Sequence, residues 1–331
     1  MKIIAEIAQY HDGSLGRAHA MIDALADTGV SAVKFQTHIA EYESSIYEPW
    51  RIKFSYQDET RYDYWKRMEF SKAAWIELKT HAEERCLEFI SSPFSLEGAE
   101  MLEDIGISTW KLASGEIGNK LLTSFLLSTH KSIICSSGMS TWSELDDFVS
   151  EAKARKIDLT ILQCTSKYPT APRDVGLNNI TAIADRYQVK SGLSDHSGTI
   201  YPALAATVLG AACIEVHACM SRQDYGPDVS SSLTIEQIRD MCNGIHMIEE
   251  MLSHPVDKDM MADELDIMRK TFTKSLCVAR DIAPGTVLTR EDLIALKPLR
   301  GITVSELDNV IGKKIVNRLE KYEVIQWKDL K

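Results

Sequence analysis

Residues 189–219 read VKSGLSDHSGTIYPALAATVLGAACIEVHAC. Two short apolar runs, Val189 to Asp195 and Cys213 to Cys219, flank a segment with helical periodicity. Both runs finish in polar side chains, Ser194-Asp195-His196 in the first and Glu215 and His217 in the second. Strand, helix, strand at this spacing describes a βαβ unit, whose two strands run parallel.

The same unit recurs toward the amino terminus. Ile3 to Ala8, Ala32 to Gln36, Glu88 to Phe94, Trp110 to Ser114, Ser132 to Ser136 and Leu159 to Thr165 are further strand candidates, each followed by a helical pattern. Eight strands alternating with helices predict an α/β fold of the (β/α)8 TIM-barrel type. A doubly wound open sheet is the alternative, but no GxGxxG follows the first strand. Helix starts agree. Ser14 precedes Ala18, Met21, Ile22 and Leu25, with Gly29 as the stop, and Thr141 with Glu144 and Thr234 with Gln237 have capping-box spacing. The Thr234 helix carries Ile238, Cys242, Ile245, Ile248 and Leu252 on one face and should close the barrel.

A chain of 331 residues accommodates a barrel of roughly 250 residues and a small appendage. Residues 1–253 are read as the barrel, 254–273 as a charged linker and 274–331 as a small, mostly-β domain. In that domain Pro284-Gly285 separates two apolar runs, Thr289 to Asp292 and Ser305 to Asp308 resemble caps, and Ile315 to Trp327 supplies further strand. Between the second barrel strand and its helix lies a long segment, Thr37 to Phe70, rich in Tyr, Trp and Phe. Its length suits a wall or lid over a site, a packing flap or an oligomer contact.

The net charge of −11 disfavours nucleic acid as a partner, so any bound phosphate must meet a local cluster. Glu6 interrupts the first apolar run, no later run reaches membrane-span length, and a cytoplasmic protein is expected. Seven cysteines without a CxxC pair read as reduced core thiols, with Cys135 and Cys164 at strand ends as candidate nucleophiles.

In this barrel class the site is built where strands finish. His196 and His217 end consecutive strands, which brings two imidazoles to one rim; they are either ligands of Mn²⁺, Zn²⁺ or Fe²⁺ or hydrogen-bonded packing groups. Lys34 and Lys111 sit among apolar neighbours, a costly placement for an ammonium without an anion. With Ser92, Ser114, Ser136 and Ser194 they could bind phosphate and carboxylate; equally, each could pair with Glu6 or Glu116, or Lys111 could form a Schiff base.

Taken in order, Ile4-Ala5-Glu6-Ile7, Val33-Lys34-Phe35-Gln36, Ser92-Pro93-Phe94, KLASGE from Lys111 to Glu116, Ser136-Ser137-Gly138-Met139, Tyr168-Pro169-Thr170, GLSDH from Gly192 to His196, and Gly226-Pro227-Asp228 resemble the sialic acid synthase family. The resemblance spans essentially the whole chain, and the tail is similar to the family's antifreeze-like (SAF) domain. It implies metal-dependent condensation of phosphoenolpyruvate with an open-chain 2-acetamido sugar, giving a nine-carbon 2-keto acid and phosphate by C–O cleavage. The sugar is N-acetylmannosamine or a relative such as 2,4-diacetamido-2,4,6-trideoxymannose.

The resemblance further implies that His196 and His217 hold Mn²⁺ or Mg²⁺. Lys34, Ser92, Lys111, Ser114, Ser136 and Ser194 match the phosphoenolpyruvate pocket, with Ser166 where the family often has Asn. Glu6, Gln36, Tyr168 and Asp228 match positions near the sugar, Glu116 matches the acid/base, and Glu6, His196 and His217 join it as catalytic candidates. The family's SAF domain delivers an arginine to the sugar site of a swapped homodimer; here Lys297 stands at that place and Arg300 is displaced from it. Further departures are Tyr10-His11-Asp12-Gly13 after the first strand and Val216, Ala218 and Cys219 around His217. They favour a modified acceptor. A Schiff-base aldolase using Lys111 and a non-catalytic sugar or anion binder are the competing readings.

Overall fold

A computed structural model describes all residues, Met1–Lys331. Two compact units divide the chain, Met1–Ser253 and His254–Lys331.

The first unit is the predicted barrel. Its strands are β1 (Lys2–Glu6), β2 (Ala32–Thr37), β3 (Glu88–Pro93), β4 (Thr109–Leu112), β5 (Ser132–Ser136), β6 (Leu159–Cys164), β7 (Lys190–Asp195) and β8 (Cys213–Cys219). Each pairs in parallel with the next, and β1 pairs with β8 to close the ring, with Ile4 opposite Glu215 and Glu6 opposite His217. A short β9 (Leu233–Thr234) pairs in parallel with the end of β8. Ser14 caps the helix Leu15–Ala26, and Thr141–Glu144 and Thr234–Gln237 form the expected reciprocal caps. The helix Ile235–Ser253 buries Ile238, Cys242 and Ile245, while Leu252 is exposed.

Alternation along the strands sorts residues into two faces. The outer face, with Ile3, Ala5, Val33, Phe35, Trp110, Leu112, Ile133, Ile161, Leu193 and Ile214, joins the helices in one apolar core. The lumen holds a separate apolar plug of Ile4, Ala32, Ile90, Ile134, Leu162 and Cys213. Gly192 stands level with this plug; a Cβ there would lie 2.1 Å from the Cys213 carbonyl oxygen and 2.8 Å from Leu162 Cδ2. Only hydrogen fits. Moving two residues up each strand from the plug changes the chemistry from apolar to polar: Glu6, Lys34, Ser92, Ser136, Cys164, Ser194 and Glu215. The apolar plug is thus the floor of a polar site.

The segment after β2 folds into the short helix Ala40–Glu43 and the helix Arg61–Met68, capped by Thr60 and Asp63. Ala40, Tyr64, Trp65 and Met68 form its own small core, joined by Trp50, Phe54 and Tyr62.

In the second unit, residues 254–273 contain two helices, Lys258–Glu264 and Asp266–Phe272. β10 (Ser275–Val278) and β11 (Leu293–Leu296) form an antiparallel pair. Ile315 to Trp327 does not form the strand expected of it; it makes isolated bridges, Leu319 with Ile282 and Val324 with Cys277. Turns interrupt it every few residues, with Tyr322 at positive φ. Leu276, Val278, Ile282, Leu288, Ile302, Val310, Ile315 and Ile325 are among the residues of this unit's core.

Candidate active site

Above the apolar plug opens a cavity of about 660 Å³, within the range for small-molecule sites. Its closed end is a buried charge cluster. Lys34, 4% exposed, bridges Glu6, 1% exposed, and lies 3.4 Å from Glu215 Oε1. Lys111 donates to Ser136 Oγ at 2.6 Å and lies 3.8 Å from the same Glu215 oxygen. Ser194 donates to Glu215 Oε1 at 2.9 Å, and Ser92 stands 3.5 Å from the Lys34 ammonium. Pairing of Lys34 with Glu6 therefore occurs, whereas Lys111 pairs with Glu215 and not Glu116. Glu116 instead accepts from Asn119 Nδ2 at 2.9 Å, because the turn after β4 carries it toward the rim.

Burial pushes Glu215 up, but Lys111, Lys34 and the Ser194 hydrogen bond outweigh it and hold the carboxyl below 4.5. Burial draws Lys34 down to about 8 against the pull of Glu215. Two ammonium groups thus share two carboxylates and the Ser136 and Ser194 hydroxyls at the closed end of the cavity. Open valences remain. Glu215 Oε2 and Ser166 Oγ are buried without a partner. Gly138 keeps the serine side of the cavity clear: a Cβ would lie 2.5 Å from both Ser114 Oγ and Ser166 Oγ.

At the rim the His196 and His217 ring centroids are 5.2 Å apart, and Tyr168 packs 4.3 Å from His196. His196 Nδ1 faces the Thr165 carbonyl oxygen at 3.1 Å, which leaves Nε2 for another partner. Burial, reinforced by His196, lowers His217 well below 6.5, so its imidazole is neutral. His196 is drawn the other way; burial lowers it, but the Cys164 thiol and the Thr165 carbonyl carry it above 6.5. A cation on that nitrogen would displace the proton. No third His, Cys, Asp or Glu joins the pair in a cluster able to hold a metal. Two imidazoles are a partial donor set, and an ion held by them would take its remaining ligands from oxygen atoms.

The open side is walled by the inserted segment. His38, Glu43, Glu48, Arg51, Phe54, Arg61, Tyr64 and Trp65 face the cavity together with Gln36, Tyr168 and Asp228. Gln36 donates to Glu6 Oε1 at 3.3 Å and meets His38 Nε2 at 3.2 Å. Arg51 reaches Asp228 at 3.3 Å and lies 4.4 Å over the Tyr168 ring. Burial raises Asp228 against Arg51's opposing pull, and burial, then Glu43, raise Glu116 above 4.5.

Apart from the candidate thiols, every barrel residue singled out from the sequence as a site candidate lines this cavity: Glu6, Lys34, Gln36, Ser92, Lys111, Ser114, Glu116, Ser136, Ser166, Tyr168, Ser194, His196, His217 and Asp228. Of the two candidate thiols, Cys164 lines it too, 3.3 Å from Ser114 Oγ, whereas Cys135 points outward and burial pushes it to about 12. Tyr10 bonds Asp224 and the Met220 amide, and His11 packs on Phe70. Lys297 and Arg300 belong to the second unit, with the Lys297 ammonium 4.9 Å over Phe272 and the Arg300 amide donating to Ser275 Oγ at 2.8 Å. Sequence reasoning left Glu215 without a role, although it stands two residues above the plug position Cys213. It also missed Glu43, Arg51 and Arg61, which sit in a segment with no periodicity to read.

Residues 21–257 match the NeuB family and residues 273–331 match the SAF domain. The chain is 31% identical to the N,N'-diacetyllegionaminic acid synthase of Legionella pneumophila over 99% of this chain and 94% of that protein. It is 31% identical to the pseudaminic acid synthase of Helicobacter pylori, over 95% and 93%. Among solved structures, the N-acetylneuraminic acid (sialic acid) synthetase of Leptospira borgpetersenii in complex with citrate superposes with a TM-score of 0.70 at 29% identity, over 82% of this chain and 91% of that one. A barrel whose strand-end residues converge on one polar cavity, followed by a SAF domain, is thus a synthase-type enzyme, and the chain belongs to the NeuB family.

Proposed function

We propose that this enzyme condenses phosphoenolpyruvate with an open-chain 2-acetamido sugar in the presence of Mn²⁺ or Mg²⁺, forming a nine-carbon sialic-acid-like 2-keto acid and phosphate. The observation that carries the reading is the pair of buried ammonium groups, Lys34 and Lys111, set among serine hydroxyls at the closed end of the cavity. Phosphoenolpyruvate is small and carries two anionic groups. Lys34, Lys111, Ser92, Ser114, Ser136, Ser166 and Ser194 supply ammonium and hydroxyl donors for both. Glu6, Gln36, Tyr168 and Asp228 face the space left for the sugar.

C3 of phosphoenolpyruvate attacks the sugar aldehyde carbon, and a C–C bond forms. Glu116, whose proton is held more firmly than usual, donates it to the aldehyde oxygen. Water adds to C2 and returns one proton to Glu116; the C2–O bond to phosphate then breaks, the remaining hydroxyl proton leaves with the phosphate, and the C2 ketone forms. Lys34 and Lys111 hold phosphate and carboxylate while charge builds at C2. His196 and His217 would hold the divalent ion, which supplies Lewis-acid polarisation of the aldehyde.

The acceptor we favour is a modified sugar of the 2,4-diacetamido-2,4,6-trideoxymannose kind, because the aromatic wall and the residues around His217 depart from the family pattern. Lys297 or Arg300 of the SAF domain as a sugar contact, a homodimer and a cytoplasmic location complete the proposal. The test is a panel of 2-acetamido sugars with phosphoenolpyruvate and Mn²⁺, read by mass spectrometry. A 2-keto acid with stoichiometric phosphate is expected, most readily from the diacetamido sugar; absence of product from every sugar would overturn the reading.

A further inference from the structure

Tyr10-His11-Asp12-Gly13, the stretch after β1 that departs from the family pattern, lines no part of the cavity, and the proposed chemistry gives it no task. Tyr10 is nevertheless buried, 6% exposed, with every polar valence of its phenol engaged. Its hydroxyl donates to Asp224 Oδ2 and accepts from the Met220 amide at 2.9 Å. The Arg17 guanidinium lies 4.3 Å over the Tyr10 ring and reaches the same Asp224 oxygen at 3.0 Å. One phenol thus grips two points of the segment that follows β8.

That segment, residues 220–232, joins β8 to β9 and carries Asp228 into the cavity wall. Beyond Asp228 it is secured locally: the Ser231 amide and the Ser232 hydroxyl donate to the Asp228 carbonyl oxygen at 2.9 and 2.8 Å. Before Val229 it has no strand or helix. There Arg222 bonds the Gly198 carbonyl oxygen and Gln237 Oε1, and Tyr10 with Arg17 ties the loop to the β1 side of the barrel.

Tyr10 is itself fixed. Its amide donates to the Ile7 carbonyl oxygen at 3.0 Å, and the Gly13 amide donates to His11 Nδ1 at 3.1 Å. Arg67 of the inserted wall donates to the Asp12 carbonyl oxygen at 3.1 Å and to its carboxylate at 2.7 Å. The same short stretch therefore anchors both walls whose side chains meet at the cavity, where Arg51 of the insertion lies 3.3 Å from Asp228 of the loop. A carboxylate on a loosened loop would bind a ligand more weakly, because binding would then have to order the loop.

We infer that Tyr10, stacked under Arg17 and bonded to Asp224, is a positioning residue: it latches the loop after β8 so that Asp228 is fixed where the acceptor sugar binds. The inference rests on the function proposed above for the role of Asp228, while the latch stands on the contacts of Tyr10.

Full-length Tyr10→Phe, Asp224→Ala and Asp224→Asn test it. Tyr10→Phe keeps the ring and removes only the hydroxyl; Asp224→Asn keeps an oxygen for that hydroxyl, and Asp224→Ala does not. Hydrogen–deuterium exchange over residues 220–232, read by mass spectrometry without substrates, should quicken about tenfold in Tyr10→Phe and Asp224→Ala. β1 should stay at wild-type rates, and Asp224→Asn should lie close to wild type. With the sugar that the panel above turns over fastest, Tyr10→Phe and Asp224→Ala should raise the sugar KM about tenfold with KM for phosphoenolpyruvate unchanged. Asp224→Asn should recover most of that loss, and the double variant of Tyr10→Phe with Asp224→Ala should be no worse than either alone. Wild-type exchange in Tyr10→Phe would overturn the latch. Faster exchange with an unaltered sugar KM would overturn the positioning of Asp228, and so would an equal rise in both KM values, which marks a general structural role. If no sugar is turned over, the proposed reaction fails by itself and exchange decides the latch: faster in Tyr10→Phe and Asp224→Ala supports it, unchanged refutes it.

Discussion

Replacing Lys111 with Met separates anion binding from fold stability. The Lys111 ammonium donates to Ser136 at 2.6 Å and stands 3.8 Å from Glu215, so the substitution removes one of two cations at the closed end while keeping most of the side-chain volume. Glu215 still has Lys34 at 3.4 Å. The stability loss is therefore expected to stay near about 1–2 kcal/mol. Lys34→Met differs, because it strips the partner from Glu6, which is 1% exposed; an uncompensated buried charge costs about 3–5 kcal/mol. For the ligand, a lost charge-assisted hydrogen bond is worth about 1.5–3 kcal/mol, or roughly 10- to 150-fold in Kd. Calorimetric titration with phosphoenolpyruvate in the absence of sugar, alongside urea unfolding, measures both effects. Unchanged phosphoenolpyruvate affinity in Lys111→Met would refute the anion role, and a Lys34→Met variant as stable as Lys111→Met would refute the charge accounting. Borohydride trapping of a substrate adduct on Lys111 would replace both with Schiff-base chemistry.

His217→Ala should abolish turnover and Mn²⁺ binding with the melting temperature retained; a fully active variant would sink the metal assignment. Gly138→Ala should raise KM for phosphoenolpyruvate about tenfold with little loss of stability, because its Cβ would press on Ser114 Oγ and Ser166 Oγ at 2.5 Å; an unchanged KM would show that this side of the cavity does not meet the substrate. Arg67 lies 2.7 Å from both Asp58 and Asp12, tying the inserted wall to the barrel. Burial raises Asp58, but Arg67 and Ser55 outweigh it and hold the carboxyl below 3.8, so this stabilisation is complete above 3.8 and is lost as pH falls through the depressed value. Urea unfolding should show Arg67→Met less stable at neutral pH, with the gap narrowing only below 3.8; closure of the gap well above that value would contradict the assignment.

The barrel was legible because its strands are short β-branched runs closed by polar residues, and because the helix caps at Ser14, Thr141 and Thr234 mark where each βα unit turns. The site was legible for the same reason: a period of two places Lys34, Ser136 and Ser194 one step above Ala32, Ile134 and Gly192. Glu215 obeys the same rule, yet its role as the shared partner of Lys34 and Lys111 depends on which strands become neighbours across the lumen. Arg51 and Glu43 were opaque. Their segment has no period, and its shape comes from aromatic packing of Trp50, Phe54, Tyr64 and Trp65 rather than from local propensity. In the second unit, Ile315 to Trp327 is β-branched enough to suggest a strand, but its backbone bonds are spent on turns and single bridges.

The central claim is that the buried ammonium cluster holds phosphoenolpyruvate while its C2–O bond breaks. Phosphoenolpyruvate labelled with oxygen-18 at the bridging position, incubated with the enzyme, Mn²⁺ and the diacetamido sugar, tests this directly by mass spectrometry of both products. The label is predicted in the released phosphate, with an unlabelled 2-keto acid; label retained in the keto acid would contradict it.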